Sequence, residues 1–188
     1  MATDSQHERK LLNSQLKEEY ANVVYSHEAH EEQRTLLAKH EKTIKTWQIV
    51  LSALSMTGAI GVLTKGQWWA STPTVLLTFV LLALNLYGFR FDIGTQITNH
   101  QKAADQLWLL TRKYLNLLTD FESLSTEEIR KRRDILLSET NALYSSIPRT
   151  SYKSFKIAQR RLKEEGLKQY TRDELDKILP IELRDRDI

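Results

Sequence analysis

The chain has 188 residues, 27 Lys and Arg against 24 Asp and Glu, a formal net charge of +3 and no cysteine. Disulfide frameworks and thiolate metal sites are therefore excluded, and cysteine usage does not reveal the compartment. With 3 prolines and 6 glycines the composition argues against a β-rich fold, and the length points to one compact unit.

Residues 1–10 are polar and lack the apolar core of a signal peptide. Residues 5–46 contain neither Gly nor Pro, which predicts a long helix, assigned here as an N-terminal cytosolic segment of residues 1–46. Leu12, Leu16, Val23, His27, His30, Leu37 and Ile44 fall near one face. Residues 26–33 are nearly all polar, so this middle stretch is expected to be solvated or lightly packed. His27 and His30 with Glu31 beside them sketch a metal site. Two further ligands for a closed zinc site are missing, and a wet surface or a polar contact between helices accounts for them as well.

Residues 47–91 organise the rest. No Asp, Glu, Lys or Arg occurs at residues 46–64 or at residues 66–89. A helix crossing a hydrocarbon core of ~30 Å needs about 20 apolar residues, and each run has about that length. With residues 65–73 as the turn, the pattern predicts a two-span transmembrane hairpin. In the first run Ala53, Thr57 and Gly61 are four apart, a spacing of small residues that lets helix backbones approach in lipid, within the hairpin or between subunits. In the second, Thr78, Asn85 and Asp92 are seven apart and share one stripe, which faces a neighbouring subunit or lines a pore. A single interhelical hydrogen bond from Asn85 is the simpler account. Trp47, Trp68, Trp69, Tyr87 and Phe89 sit near the ends of the runs, where rings prefer the headgroup zone. Six basic residues (Arg34, Lys39, Lys42, Lys45, Arg90, Lys102) flank the two runs on the terminal side, and Lys65 alone lies in the connection. Both termini are therefore expected to be cytoplasmic.

Residues 92–188 read as a cytosolic helical bundle. A helix over residues 92–121, bent near Gly94, carries Ile97, Ala104, Leu107, Trp108, Leu110, Tyr114, Leu115, Leu118 and Phe121 on an apolar face. Ser125 and Glu128 form a capping box opening a helix to about Ser146 that buries Ile129, Leu136, Leu143 and Ile147 and ends before Pro148. A further helix over residues 151–165 stops at Gly166, and Thr171 with Glu174 opens a last short one. Between residues 130 and 163 stand ten basic residues and two acidic ones. Arg149, Lys153, Lys156, Arg160, Arg161 and Lys163 make up the distal part of this basic surface. It suits anionic lipid near a membrane, or a phosphorylated ligand or nucleic acid. No paired carboxylates, glycine-rich phosphate loop, zinc-protease motif or nucleophile elbow is present, so an enzyme is not expected and no cofactor is implied.

An ordered set of motifs lies beyond the hairpin: Lys113-Tyr-Leu-Asn-Leu-Leu-Thr-Asp120, Glu127-Glu-Ile-Arg-Lys-Arg-Arg-Asp134, Tyr144-Ser-Ser-Ile-Pro-Arg-Thr-Ser151, Ala158-Gln-Arg-Arg-Leu-Lys163 and Asp173-Glu-Leu-Asp-Lys-Ile-Leu-Pro180. Over residues 36–184 the chain resembles the SLATT family of two-transmembrane proteins associated with bacterial conflict systems, and its closing segment resembles the subgroup found beside reverse transcriptases. The resemblance implies an all-α inner-membrane effector, held silent until a partner senses infection, that then oligomerises or opens and damages the membrane in antiphage defence by abortive infection. It also implies a nucleotide second messenger or a reverse-transcriptase-linked partner as the trigger. The reading from a different class is a non-conducting membrane-anchored scaffold that recruits a reverse transcriptase, nucleotide-signal or nucleic-acid partner through the basic surface.

Overall fold

The structure is a computed structural model, and it describes residues 2–65, 71–166 and 174. The short helix expected after Thr171 lies outside the described residues. Among these the fold is all-α with no strand.

Helix α1 runs unbroken over Ala2–Lys65, 64 residues, which at 1.5 Å per residue is about 96 Å. The first glycine is Gly58 and no proline precedes Pro73, so nothing in the polar half competes with the ladder. Its threonines turn their hydroxyls onto their own backbone: Thr35 donates to the Glu31 carbonyl, Thr43 to Lys39, Thr46 to Lys42 and Thr57 to Ala53, each at 2.9 Å. Local ion pairs, Arg34–Glu31 at 2.9 Å and Lys45–Glu41 at 2.7 Å, add a few tenths of a kcal/mol each.

Helix α2 (Ser71–Phe91) returns antiparallel along the distal half of α1. Pro73 sits in its first turn, where the amide a proline lacks has no intrahelical acceptor. The chain then breaks at Asp92, whose φ of 38° is left-handed. Its carboxylate accepts from the Thr95 amide at 3.3 Å, and Gln96 Nε2 donates to the Phe91 carbonyl at 2.6 Å. The bend expected near Gly94 falls two residues earlier because aspartate tolerates αL and caps the next helix. Gly94 is an ordinary helical residue with room for a Cβ.

Helix α3 (Ile93–Thr119) continues down the proximal half of α1. After a 3-10 turn at Phe121–Ser123, α4 (Thr126–Ser146) doubles back and α5 (Tyr152–Lys163) lies against α1. Ser125 caps α4 by accepting from the Glu128 amide at 3.2 Å, whereas the Glu128 carboxylate pairs with Arg132 at 2.8 Å. Gly166, φ 64°, stands just past α5.

The core is built where α1, α3 and α4 meet around the 3-10 turn. Leu12, Leu16 and Val23 of α1, Leu107, Leu110, Tyr114 and Leu117 of α3, Phe121, and Ile129 and Leu136 of α4 are buried together. The Tyr114 hydroxyl reaches Thr140 Oγ1 at 3.2 Å; burial raises its pKa above the usual tyrosine value. Arg9 ties the far end by donating to the Phe121 and Leu124 carbonyls, both at 2.9 Å. Trp108, expected on the apolar face, is 41% exposed, while Ala103 lines the interior instead.

The expectation of a solvated stretch at residues 26–33 is corrected: Glu28, Ala29, His30 and Glu32 are all buried. Helices α3 and α5 cover this stretch and bring polar partners for it. By contrast, α2 has no buried residue, and beyond residue 46 Leu51 is the one buried residue of α1 whose side chain is described. The molecule is thus a four-helix bundle from which a two-helix hairpin projects. The stretch Ser71–Thr119 contains a window long and apolar enough to cross a membrane, and none of that window is buried.

Candidate functional site

Two surfaces and one buried crossing carry the chemistry of this molecule. The first is the hairpin. Gln48 Nε2 donates to Asn85 Oδ1 at 2.9 Å across α1 and α2. Gly58 packs directly on the Thr74 side chain, so that a Cβ there would collide with it. Ser55 Oγ is buried without a hydrogen-bond partner. Of the stripe Thr78, Asn85 and Asp92, Asn85 therefore faces α1, the Thr78 hydroxyl is bonded to the Thr74 carbonyl at 2.9 Å, and Asp92 caps α3 at the break. Ala53 and Thr57 are exposed, on the side of α1 away from α2, and Gly61 stands four residues later in the same helix. The close approach inside the hairpin uses Gly58, one residue off that row.

Elsewhere this surface is apolar. Trp47, Ile49, Leu54, Met56 and Ile60 of α1, and Leu76, Phe79, Leu82, Leu86 and Phe89 of α2, are all exposed, Phe89 to 89%. A contiguous apolar surface of this kind marks contact with lipid or with other protein.

The buried crossing joins α1, α3 and α5. His30 and His100, 3% and 4% exposed, meet Nδ1 to Nδ1 at 3.0 Å. One ring must accept in that bond, so the two cannot both carry a proton on Nδ1 and cannot both be charged. Burial, then the neighbouring His100 and His27, push the His30 pKa down to about 4, and burial lowers that of His100. His27 Nδ1 donates to the Ala104 carbonyl at 2.9 Å, and its ring lies 5.5 Å from Trp108. Sequence reasoning singled out His27 and His30 but missed His100, a lone histidine 70 positions away. Among the described residues no group of three or more His, Asp or Glu is placed to hold a metal. His27 and His30 make the interhelical polar contact named as their alternative role.

The second surface is the outer face of α5. Its inner face docks on α1 through Ser154 and Ala158, both fully buried. The hydroxyl of Ser151 donates to Gln33 Oε1 at 2.7 Å, and Arg161 pairs with Glu32, which raises the Arg161 pKa. Arg161 is thereby turned inward, away from the rest of the predicted basic set. Lys153, Lys156, Arg160 and Lys163 are exposed, and at about 100° per residue they fall within an arc of about 80° opposite the docked face. Arg149 is exposed on the α4–α5 turn. The basic cluster of α4 differs: Arg130 pairs with Glu8, Arg132 with Glu128 and Arg133 with Asp134. Among the described residues Arg149, Lys153, Lys156 and Lys163 have no ion pair, and Arg160 has one exposed contact with Glu165 at 3.3 Å.

Compared with known proteins, the chain is similar to the family described as SMODS and SLOG-associating 2TM effector domain family 4, whose model matches residues 12–174. The match takes in both arms of α1, the hairpin and the bundle. No curated protein and no solved structure matches the chain.

Proposed function

The chain belongs to the SMODS and SLOG-associating 2TM effector domain family 4, and from that premise we propose that it is an oligomeric effector whose hairpins assemble into a pore or lesion in the bacterial inner membrane when triggered. Family membership makes it a membrane effector and places it in no known enzyme family. The rest is our reading: α2 and the distal part of α1 form two spans with both termini cytoplasmic, and the activity serves antiphage defence by abortive infection.

The observation that carries this reading is the apolar surface of the hairpin, which the described residues leave uncovered except where α1 and α2 face each other. A bundle that is well packed at one end and bare at the other is suited to insertion and to lateral assembly. Ala53 and Thr57, exposed on the side of α1 away from α2, are taken as the start of a small-residue row that offers a second copy a close approach. Asn85 and Gln48 satisfy each other in a single copy, and in an assembly they supply polar groups at the depth of the bilayer. The bundle is the part that receives the trigger.

The test is expression in bacteria with a potential-sensitive dye. The intact protein is expected to depolarise the inner membrane, and Thr78→Leu combined with Asn85→Leu to weaken depolarisation without preventing insertion. Depolarisation unchanged in the double variant would remove the stripe from the mechanism, and none by the intact protein under a verified trigger would contradict the pore. Because the chain has no cysteine, Gln6→Cys and Gln67→Cys report topology directly: a membrane-impermeant thiol reagent outside intact cells is expected to reach only the second.

The basic outer face of α5 favours a second reading, a membrane-anchored scaffold that recruits a nucleotide-signal, nucleic-acid or reverse-transcriptase-linked partner. The two readings are compatible if the recruited partner is the trigger.

A further inference from the structure

We propose that the outer face of α5 is a docking strip for a nucleic-acid strand, held through its phosphodiester backbone by Lys153, Lys156, Arg160 and Lys163 with Tyr152 as a stacking platform for a base. The proposal deepens the second reading above by committing its basic surface to one class of partner.

The first argument is which charges are free. Three of the four cations in the cluster at residues 130–133 are engaged by Glu8, Glu128 and Asp134, and Arg161 is engaged by Glu32. Of the ten cations at residues 130–163, Arg149, Lys153, Lys156 and Lys163 on and beside α5 carry no ion pair among the described residues, Arg160 on the same face holds one exposed contact with Glu165, and Lys131 is the unpaired cation left on α4. Ten residues separate Lys153 from Lys163, about 15 Å along the axis. The four groups stand in file and do not converge, a layout that suits an anion repeating its charge along a line better than a single phosphate. A shallow surface depression of about 490 Å³ runs past the last three of them, lined by Lys156, Ile157, Gln159, Arg160, Lys163 and Glu164.

The second argument is the ring. Tyr152 is 75% exposed, and Lys156 Nζ lies 5.5 Å from its ring centroid. An exposed aromatic ring with a cation over one face, beside a row of further cations, is an arrangement by which proteins hold single strands without reading sequence.

The third argument is position. Helix α5 is fastened to Glu32 and Gln33 of α1, fifteen and fourteen residues before Trp47, where the apolar run begins. Along a helix that is about 21 Å. The Debye length is about 8 Å at physiological ionic strength, so attraction from this strip to a lipid surface at the level of Trp47 is screened. The docked face of α5 is held against α1, which keeps the strip from swinging to the membrane.

The experiment uses the full chain purified in detergent and a fluorescent 20-nucleotide single strand, read by anisotropy across a salt series. With about four phosphates neutralised, the log–log dependence of affinity on salt is expected to have a slope of about −3. Lys153→Glu with Lys156→Glu is expected to weaken binding at least tenfold, and Tyr152→Ala to weaken it without changing the slope. Lys131→Glu, an exposed cation on α4, is the control and is expected to leave binding within about twofold. Absence of binding, equal loss in the control, or tighter capture of anionic vesicles or of a phosphopeptide than of the strand would each overturn the proposal. Membrane leakage is recorded on the same variants. A leaking protein that does not bind the strand rejects this inference alone, and one that binds without leaking rejects the pore alone.

Discussion

His30 and His100 share a single buried hydrogen bond, and that makes the bundle sensitive to acid. A histidine whose folded pKa lies below its unfolded value of about 6.5 is stabilising only while neutral. The unfolded chain binds more protons below that pH, so stability is fully present above it and is lost as pH falls toward about 4. Thermal unfolding in detergent is expected to shift to lower temperature between pH 6.5 and 4. His30→Gln with His100→Gln should flatten that part of the profile; a profile unchanged by the double substitution would show that the pair does not govern it. At the same scale, Ala158 and Ser154 are fully buried against α1. Ala158→Leu is expected to cost about 1–3 kcal/mol by overpacking and to free α5 from α1, read as faster amide exchange in α5. Residue-level features of this kind were legible where the cause is local. Ser125 caps a helix, Pro148 stops one and Gly166 stands just past one because of their own backbone chemistry. The Glu32–Arg161 pair spans 129 positions, and no spacing rule reaches across that distance.

Among the elements, α1 and the α2–α3 break matter most. The continuity of α1 was legible from the absence of Gly and Pro, and the boundaries of α4 from its cap and its proline. What hydropathy missed is that a polar stretch can be interior. Residues 26–33 look solvated because an apolar stripe is the only burial signal a single helix displays. Here His100, the Ala104 carbonyl, Ser151 and Arg161 arrive from other helices as matched partners. The Asp92 break predicts a pattern of substitution. Asp92→Val places a β-branched residue at φ 38° and removes a cap, which should cost about 1–2 kcal/mol, whereas Asp92→Gly relieves the backbone and forfeits only the cap. Differential scanning calorimetry in detergent should rank valine well below glycine; the reverse order would mean that the left-handed turn is not what joins α2 to α3. Within the hairpin, Gly58→Leu is expected to push α2 off α1 at Thr74 and to break the Gln48–Asn85 bond. The check is loss of a short-range spin-label distance between the two helices.

Taken whole, the molecule pairs a satisfied end with an unsatisfied one. The bundle closes over Tyr114, Leu107 and Ile129 and caps its own polar groups. The hairpin shows apolar side chains all round α2 and leaves Ser55 Oγ without a partner. The two apolar runs were plain in the sequence, because lipid selects composition and length and both are read without a fold. The use of the hairpin's faces was not plain: the i, i+4 row of Ala53, Thr57 and Gly61 signals close packing and does not name the partner. The intrachain contact chose Gly58 and Leu51 and left Ala53 and Thr57 outside. An effector of this shape is incomplete alone, and its fold calls for lipid, for other copies, or for both. The central claim is assembly into a leak. The most direct measurement is dye release from bacterial-lipid liposomes by the purified chain, with the mass of the membrane-embedded oligomer determined on the same sample. The account predicts release by a defined oligomer, with Ala53→Leu and Thr57→Leu lowering both the oligomer mass and the release. A monomer that inserts and releases nothing with its trigger supplied, or an oligomer that stays sealed with it supplied, would contradict it.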